Sequence, residues 1–323
     1  MQPIDALKTA LEIELERVPL SQVRSAVHAL SKRYHQQTDF GALSTEEVVA
    51  YGAFRMTATF HAIDAAFEQI KHRLGTEFRP RHLLDAGAGP GTSMWSALGH
   101  WPSLTQITLV EKEPAMIRLG KRLQSHSVHA PIQNAKWMAL DLTRPLPDID
   151  ADLVVLSYVA GELSHEQRHP LAHRLWSQSP RVLLIVEPGT PWGFAIIREI
   201  RHGLIRQGAR IVAPCPHDQA CPMAEGDWCH FARRLSRSRL HRQAKSATLG
   251  YEDEKFSYVA VAPTLNASPV AIEGRILRRP LAGKGHVALS VCTTDGVVRK
   301  VLTRKDGPRY KTARHLRWGD PLP

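Results

Sequence analysis

Five short apolar runs, HLLDAGAG, ITLVEKE, AKWMALDL, ADLVVLSYV and RVLLIVEPG, follow one another between residues 80 and 190, separated by helix-length segments. Runs this short, rich in Leu, Ile and Val, are what strands buried on both faces of a parallel sheet look like. Strand alternating with helix predicts a doubly wound α/β domain. Ahead of it, residues 1–78 read as an N-terminal helical subdomain: Leu7, Leu11, Ile13 and Leu15 fall near helical spacing, and Ser44 to Leu74 contains no proline. The α/β domain is expected over 79–262, with one more helix at about Trp192 to Arg206 and a Cys-rich insertion over 213–245. Residues 263–323 read as a small basic β module, in which Asp295-Gly296 between two β-rich runs signals a hairpin.

The first strand runs into Asp85-Ala86-Gly87-Ala88-Gly89-Pro90-Gly91-Thr92, three alternate glycines just before a helix. Glycine is needed where the chain turns sharply and a ligand must touch backbone without meeting a Cβ. Glu111 closes the next strand, at about the separation where such folds hold a ribose. A nicotinamide-binding loop would carry its third glycine one residue later. The preceding Asp85 and the Gly-x-Gly-x-Gly spacing instead resemble class I S-adenosylmethionine methyltransferases. That resemblance implies that Asp85, Gly87, Gly89 and Gly91 face the methionine part, with Asp85 ionised and orienting the loop. It further implies that Glu111 accepts hydrogen bonds from the ribose hydroxyls and that Asp141 lies near the adenine. The strand end DLVVLSYVAGEL lacks the Asn-Pro-Pro-Tyr tetrapeptide by which amino-group methyltransferases hold a nitrogen nucleophile. No catalytic base stands out, although Tyr158 and Glu162 lie near the right place.

The 42 Lys and Arg against 31 Asp and Glu leave a net charge of +11. A surplus of this size favours a polyanionic partner, nucleic acid first, with a solvated face as the plainer alternative. Arg233, Arg234, Arg237, Arg239, Arg242 and Lys245 run together and read as an Arg-rich helix. Between Glu273 and Arg317 there are twelve Lys or Arg against three acids. Trp228, Phe231 and Trp318 are candidates to stack on exposed bases, with core packing the plainer assignment. No apolar run approaches the roughly 18 residues a spanning helix needs, and the charged N-terminus is no targeting peptide. A cytoplasmic protein without a membrane partner is therefore expected.

Three of the four cysteines, Cys215, Cys221 and Cys229, crowd into APCPHDQACPMAEGDWCHF, and Cys292 lies on the expected hairpin. Thiolates so close repel when ionised, and a metal centre removes that cost. Zinc sites usually pair cysteines two to four apart; no such pair is present, but His217 or His230 could complete a Cys₃His site. An iron–sulfur cluster tolerates looser spacing. Both metals, and buried thiols without metal, stay open at this level.

With LLDAGAGPGT, VVLSYVAGEL, VEPGTPWGF, the block APCPHDQACPM with DWCHF, YEDEKFSYV and GHVALSVCTTDG with ARHLRWGD, the chain resembles the methyltransferase-like small-ribosomal-subunit assembly family, bacterial relatives of a mitochondrial ribosomal small-subunit assembly factor. The resemblance spans almost the whole length. It implies a [4Fe–4S] cluster held by Cys215, Cys221, Cys229 and Cys292, and action on the small ribosomal subunit through ribosomal RNA rather than DNA. It leaves two functions standing: a binding factor that supports subunit assembly, and an active S-adenosylmethionine-dependent ribosomal RNA methyltransferase. Thr57 in FRMTATF departs from the proline expected there.

Overall fold

The computed structural model describes residues 2–19, 21–27, 29, 44–236, 250–265 and 270–323. They form two compact units: Met1–Phe67 with Arg79–Ser157 and Arg233–Glu254, and Glu68–Phe78 with Tyr158–Ala232 and Lys255–Pro323.

In the first unit, strands β1 (His82–Ala86), β2 (Gln106–Glu111), β3 (Lys136–Ala139) and β4 (Leu153–Ser157) pair in parallel in the order β3-β2-β1-β4. β1 is buried along its whole length, as its unbroken apolar run requires. β3 departs from the expectation of burial on both faces: its ends are exposed and its middle half-buried. Its described ladder is with β2, so Lys136 and Ala139 are free to meet water.

Helix α1 (Pro3–Glu16) buries Pro3, Ala6, Leu7, Ala10, Leu11 and Glu14, a stripe at three- and four-residue spacing. That stripe takes in Glu14 rather than Ile13 and Leu15. It packs on α4 (Thr92–His100) and α5 (Pro114–Ser125), and α2 (Thr45–Tyr51) also packs on α5. The Glu14 carboxylate, 2% exposed, accepts from Arg122 Nε of α5 at 2.6 Å and pairs with Arg17 at 2.8 Å. Arg122→Leu therefore removes the α5 anchor from a buried charge. A loss of about 3 kcal/mol is expected, read as a lower urea midpoint; an unchanged midpoint would refute the anchor.

α2 begins with a capping box, Ser44 accepting from Glu47 N–H while Glu47 accepts from Ser44 N–H. It continues through a π-helical turn at Gly52–Met56 into α3 (Thr57–Leu74). Thr57 therefore sits at the exit of the π turn, where its hydroxyl donates to Ala53 O at 3.5 Å.

In the second unit, α6 (His165–Ser177) and α7 (Pro191–Arg206) pack together beside β5 (Val182–Pro188), β8 (Tyr251–Ala262) and β6 (Arg210–Ala213). β8 runs antiparallel to both β5 and β6. The segment VEPGTPWGF sets the start of α7. Thr190 caps it by accepting from Gly193 N–H at 3.0 Å, Pro191 opens the first turn, and a Cβ on Gly193 would lie 2.0 Å from Pro188 O. Parallel strands alternating with helices, closed by an antiparallel strand, make this the α/β fold of class I S-adenosylmethionine methyltransferases.

Residues 214–230 carry neither helix nor strand. The expected helix from Arg233 begins instead as strand β7 (Phe231–Ser236), and residues 237–249 lie outside the described residues. Pairing with β8 decides this: Phe231 and Leu235 are buried, whereas Arg234 is exposed and bridges to Asp253 of β8. The C-terminal module contains β9 (Gly274–Ile276), β10 (Leu281–Gly283), β11 (His286–Thr293), β12 (Gly296–Thr303) and β13 (Pro321–Leu322), with α8 (Pro308–Ala313). Its core is Ile276, Val287, Leu289, Val291, Leu302, Ala313 and Leu322. The β11–β12 hairpin closes with Thr293 paired to Gly296, so Thr294 and Asp295 form the loop and the turn lies one residue earlier than Asp295-Gly296 suggests. No helix among the described residues is long and apolar enough to cross a membrane.

Candidate functional site

In the first unit, Gly87, Gly89 and Gly91 all adopt positive φ, at 76°, 54° and 84°, a region a side chain at these positions would strain. Gly87 and Ala88 N–H donate to Val110 O, so the end of β2 braces the turn. Glu111 completes the brace, its Oε2 accepting from Gly89 N–H at 2.7 Å and its Oε1 from Glu113 N–H at 2.8 Å. Glu111 and the glycines are thus brought together. Asp141 follows β3, one residue beyond Leu140, whose N–H donates to Glu111 O. Its carboxylate accepts from Thr143 N–H and hydroxyl at 2.9 and 2.8 Å, and these bonds hold its pKa below the usual carboxylate range.

Asp85 is 1% exposed, and Ser93 Oγ donates to its Oδ2 at 2.5 Å. Burial outweighs that bond and, with help from the Glu111 charge, pushes its pKa up to about 7. Asp85, which the resemblance implies is ionised, thus holds its proton more tightly than an ordinary carboxyl. Its Oδ1 is buried and has no partner, an acceptor pre-placed beside the glycine turn. An acceptor of this kind fits the cationic part of S-adenosylmethionine. Two further residues border the turn without a sequence signal. The Tyr51 hydroxyl lies 3.8 Å from the Cβ position of Gly89, and the Trp137 ring lies 3.4 Å from that of Gly91.

In the second unit, Tyr158 stands at φ 60°, uncommon for a bulky residue, and its N–H donates to Val186 O at 2.8 Å. Glu162 is exposed at the end of the next turn. The residue that organises this loop is one the sequence reading passed over. Glu187, 1% exposed, accepts from Ala160 N–H at 2.8 Å and Gly161 N–H at 3.2 Å. Burial raises its pKa to about 8 against the pull of those two bonds. The Glu in VEPG was its only trace.

The same unit gathers all four cysteines. Cys215, Cys221, Cys229 and Cys292 line one cavity with Phe194 and Arg201 of α7, and none is in a disulfide. Burial raises the Cys215 thiol pKa, raises Cys229 well above the normal thiol value, and lifts Cys292 to about 12; the neighbouring thiols add to each shift. Two buried guanidiniums oppose them. Arg201, 4% exposed, donates to His217 O and Gln219 O at 2.9 and 2.8 Å and lies against Cys215, and its Nε is buried without a partner. Arg275, on β9, is the register partner of Cys292 on β11 and donates to Pro214 O at 2.7 Å.

A cavity of thiols flanked by buried cations suits an anionic thiolate–metal centre, which would supply the missing negative charge. His217 approaches Cys292 Sγ at 3.8 Å, whereas His230 is stacked on Trp228 and edge-on to Trp318.

The aromatic candidates are spent on packing. Trp228 Nε1 donates to Gly189 O, Trp318 Nε1 donates to His230 O, and Phe231 is buried. Of the twelve basic residues from 273 to 317, Arg275 turns inward. Arg279, Lys284, Arg299, Arg304, Lys305, Arg309, Lys311, Arg314 and Arg317 are exposed.

Residues 45–323 match a family model described as the mitochondrial small ribosomal subunit Rsm22. The chain is 30% identical to the human protein named ribosome assembly protein METTL17, mitochondrial, over 100% of its own length and 74% of that protein's. It is 26% identical to Rsm22-cox11 tandem protein 2, mitochondrial, of Schizosaccharomyces pombe, over 76% of this chain and 39% of that one. Among solved structures, a distant likeness is to the magnesium protoporphyrin IX methyltransferase of Synechocystis with bound S-adenosylmethionine. It is 12% identical at a TM-score of 0.41, over 70% of this chain and 87% of that chain.

Proposed function

Because the chain belongs to the family of the mitochondrial small ribosomal subunit protein Rsm22, we propose that it is an S-adenosylmethionine-binding, methyltransferase-like factor that binds the small ribosomal subunit and its ribosomal RNA and supports subunit assembly. The observation that carries this reading is the alignment of the whole chain with a protein named for ribosome assembly. Asp85, Gly87, Gly89, Gly91, Glu111 and Asp141 hold the cofactor in this reading. Cys215, Cys221, Cys229 and Cys292 hold a [4Fe–4S] cluster, for which their gathering in one cavity and their loose sequence spacing speak. When bound, the cluster is a structural cross-link with a net negative charge, and the chain's own contribution is to bury it and face it with Arg201 and Arg275. The cytoplasm is the proposed compartment.

The exposed cations of the C-terminal module supply phosphate contacts, so affinity for small subunits falls steeply as salt rises. Arg304→Glu with Lys305→Glu is expected to weaken binding about tenfold or more at physiological salt and to flatten the salt slope by about one unit per lost phosphate contact. Binding that ignores both salt and charge reversal would refute this surface.

A second reading, methyl transfer to ribosomal RNA, is favoured by one observation: the unpartnered Asp85 oxygen beside a fully formed glycine turn. The test is transfer of labelled methyl from S-adenosylmethionine to small subunits isolated from cells lacking the protein, with Gly87→Arg as the blocked-pocket control. Label in ribosomal RNA with the intact protein alone establishes the enzyme. Restored assembly by both forms without label establishes a binding factor.

A further inference from the structure

On the second unit, away from the cysteines in sequence and outside the proposed cofactor residues, two histidines and a carboxylate converge on one point. His165 and His169 are four residues apart on α6, so they share a face of the helix. Their ring centroids are 5.0 Å apart at 62°. Both present Nε2 to the same atom, Oε1 of Glu199 on α7; the His165 separation is 2.5 Å. We propose that His165, His169 and Glu199 form a binding site for a divalent transition-metal ion of the zinc class, which staples α6 to α7.

Chemistry and geometry support this together. Imidazole and carboxylate are the donors borderline cations such as Zn²⁺ prefer. The three donor atoms lie within 4.8 Å of one another, and an ion about 2.0–2.2 Å from each enters once the two imidazoles draw back from Glu199 Oε1 by about 1 Å, a shift that rotation of partly exposed side chains supplies. A solvated surface cluster seldom aims two imidazole nitrogens from one helix at a single oxygen of another. The frame that aims them is firm. Arg168 between the histidines is buried, donates to Leu163 O at 2.8 Å and lies 5.1 Å above the Trp192 ring at the start of α7. His165 is 67% exposed on its side chain, so the remaining coordination positions face water. Two neutral imidazoles and one carboxylate leave the occupied site with one net positive charge. α7 also carries Arg201 and Phe194 to the cysteine cavity, so an ion here would brace the helix that lines it.

The test uses full-length protein purified without oxygen, its cysteine centre left as isolated. Zn²⁺ is titrated by calorimetry, and Co²⁺ by absorption. Expected are one saturable Zn²⁺ per chain and a Co²⁺ spectrum with d–d bands and no sulfur-to-metal charge-transfer band. The His165→Ala/His169→Ala pair should lose this binding, and Glu199→Gln should weaken it at least tenfold, with iron content unchanged in both. These side chains are at least partly exposed, and circular dichroism checks that the variants fold. Absent saturable binding, equal binding by the variants, or a Co²⁺ spectrum dominated by sulfur would each overturn the site. Iron content reports separately on the cluster assignment.

Discussion

On the proposed cluster assignment, Arg201→Leu is expected to strip the metal from the cysteine cavity and to lower stability by about 3–5 kcal/mol in the loaded chain. The guanidinium is almost fully buried among carbonyl oxygens of His217 and Gln219 and the Cys215 sulfur. Leucine abandons those oxygens and leaves the thiolates without a facing cation. The effect depends on the charge it faces, and that dependence is the sharper measurement. When the centre is removed by Cys229→Ser, Arg201 becomes a buried cation with an orphan Nε. Arg201→Leu should then cost clearly less, by about 2 kcal/mol or more, because only the bonds to His217 O and Gln219 O remain to be lost. A double-mutant cycle in urea, with iron per chain measured in each member, reads this coupling. Equal costs in loaded and cysteine-variant chains would sink the charge-compensation account.

The second large effect is on pH. Asp85, raised to about 7, and Glu187, raised to about 8, both bind protons more tightly in the folded chain than in the unfolded one. The folded state therefore holds the extra protons between about pH 4 and pH 8. Stability falls as pH rises through that window, by up to about 4 kcal/mol for each group. Urea midpoints of the ligand-free protein at pH 5 and pH 8, compared with Glu187→Gln and Asp85→Asn, isolate each share, because other groups titrate alike in all three. The advantage of the parent at low pH should vanish, or reverse, at pH 8. A difference independent of pH would show that the carboxyls titrate normally. A cofactor bringing a cation to Asp85 Oδ1 should favour the ionised form, so cofactor affinity should rise from pH 6 to pH 8.

Much of the fold was legible because its signals are local. The apolar runs marked β1, β2, β4 and β5 wherever burial on both faces demands uninterrupted Val, Ile and Leu. The helix expected from Trp192 to Arg206 is α7, whose start is written in Thr190 and Pro191. Where local signals conflicted, the reading failed. Arg233 and Arg234 suggested a helix, but the segment pairs with β8 as β7, and the spacing of Phe231 and Leu235, four apart, fits either state. Trp228 and Trp318 follow the plainer assignment of packing, one stacked on His230 and the other edge-on to it.

The sequence by itself determined the α/β class, the glycine turn with Glu111, and the grouping of Cys215, Cys221 and Cys229, because spacing and residue type along a short stretch suffice for each; Cys292 joined them only through the family resemblance. Only the tertiary structure decided the electrostatics. Glu187 as the holder of the Ala160–Gly161 turn, Arg201 and Arg275 against the thiols, and the shared Glu199 oxygen join residues up to 91 positions apart, the separation of Arg201 from Cys292. Charge and desolvation depend on distance and burial in space, and neither is written in the order of residues along the chain.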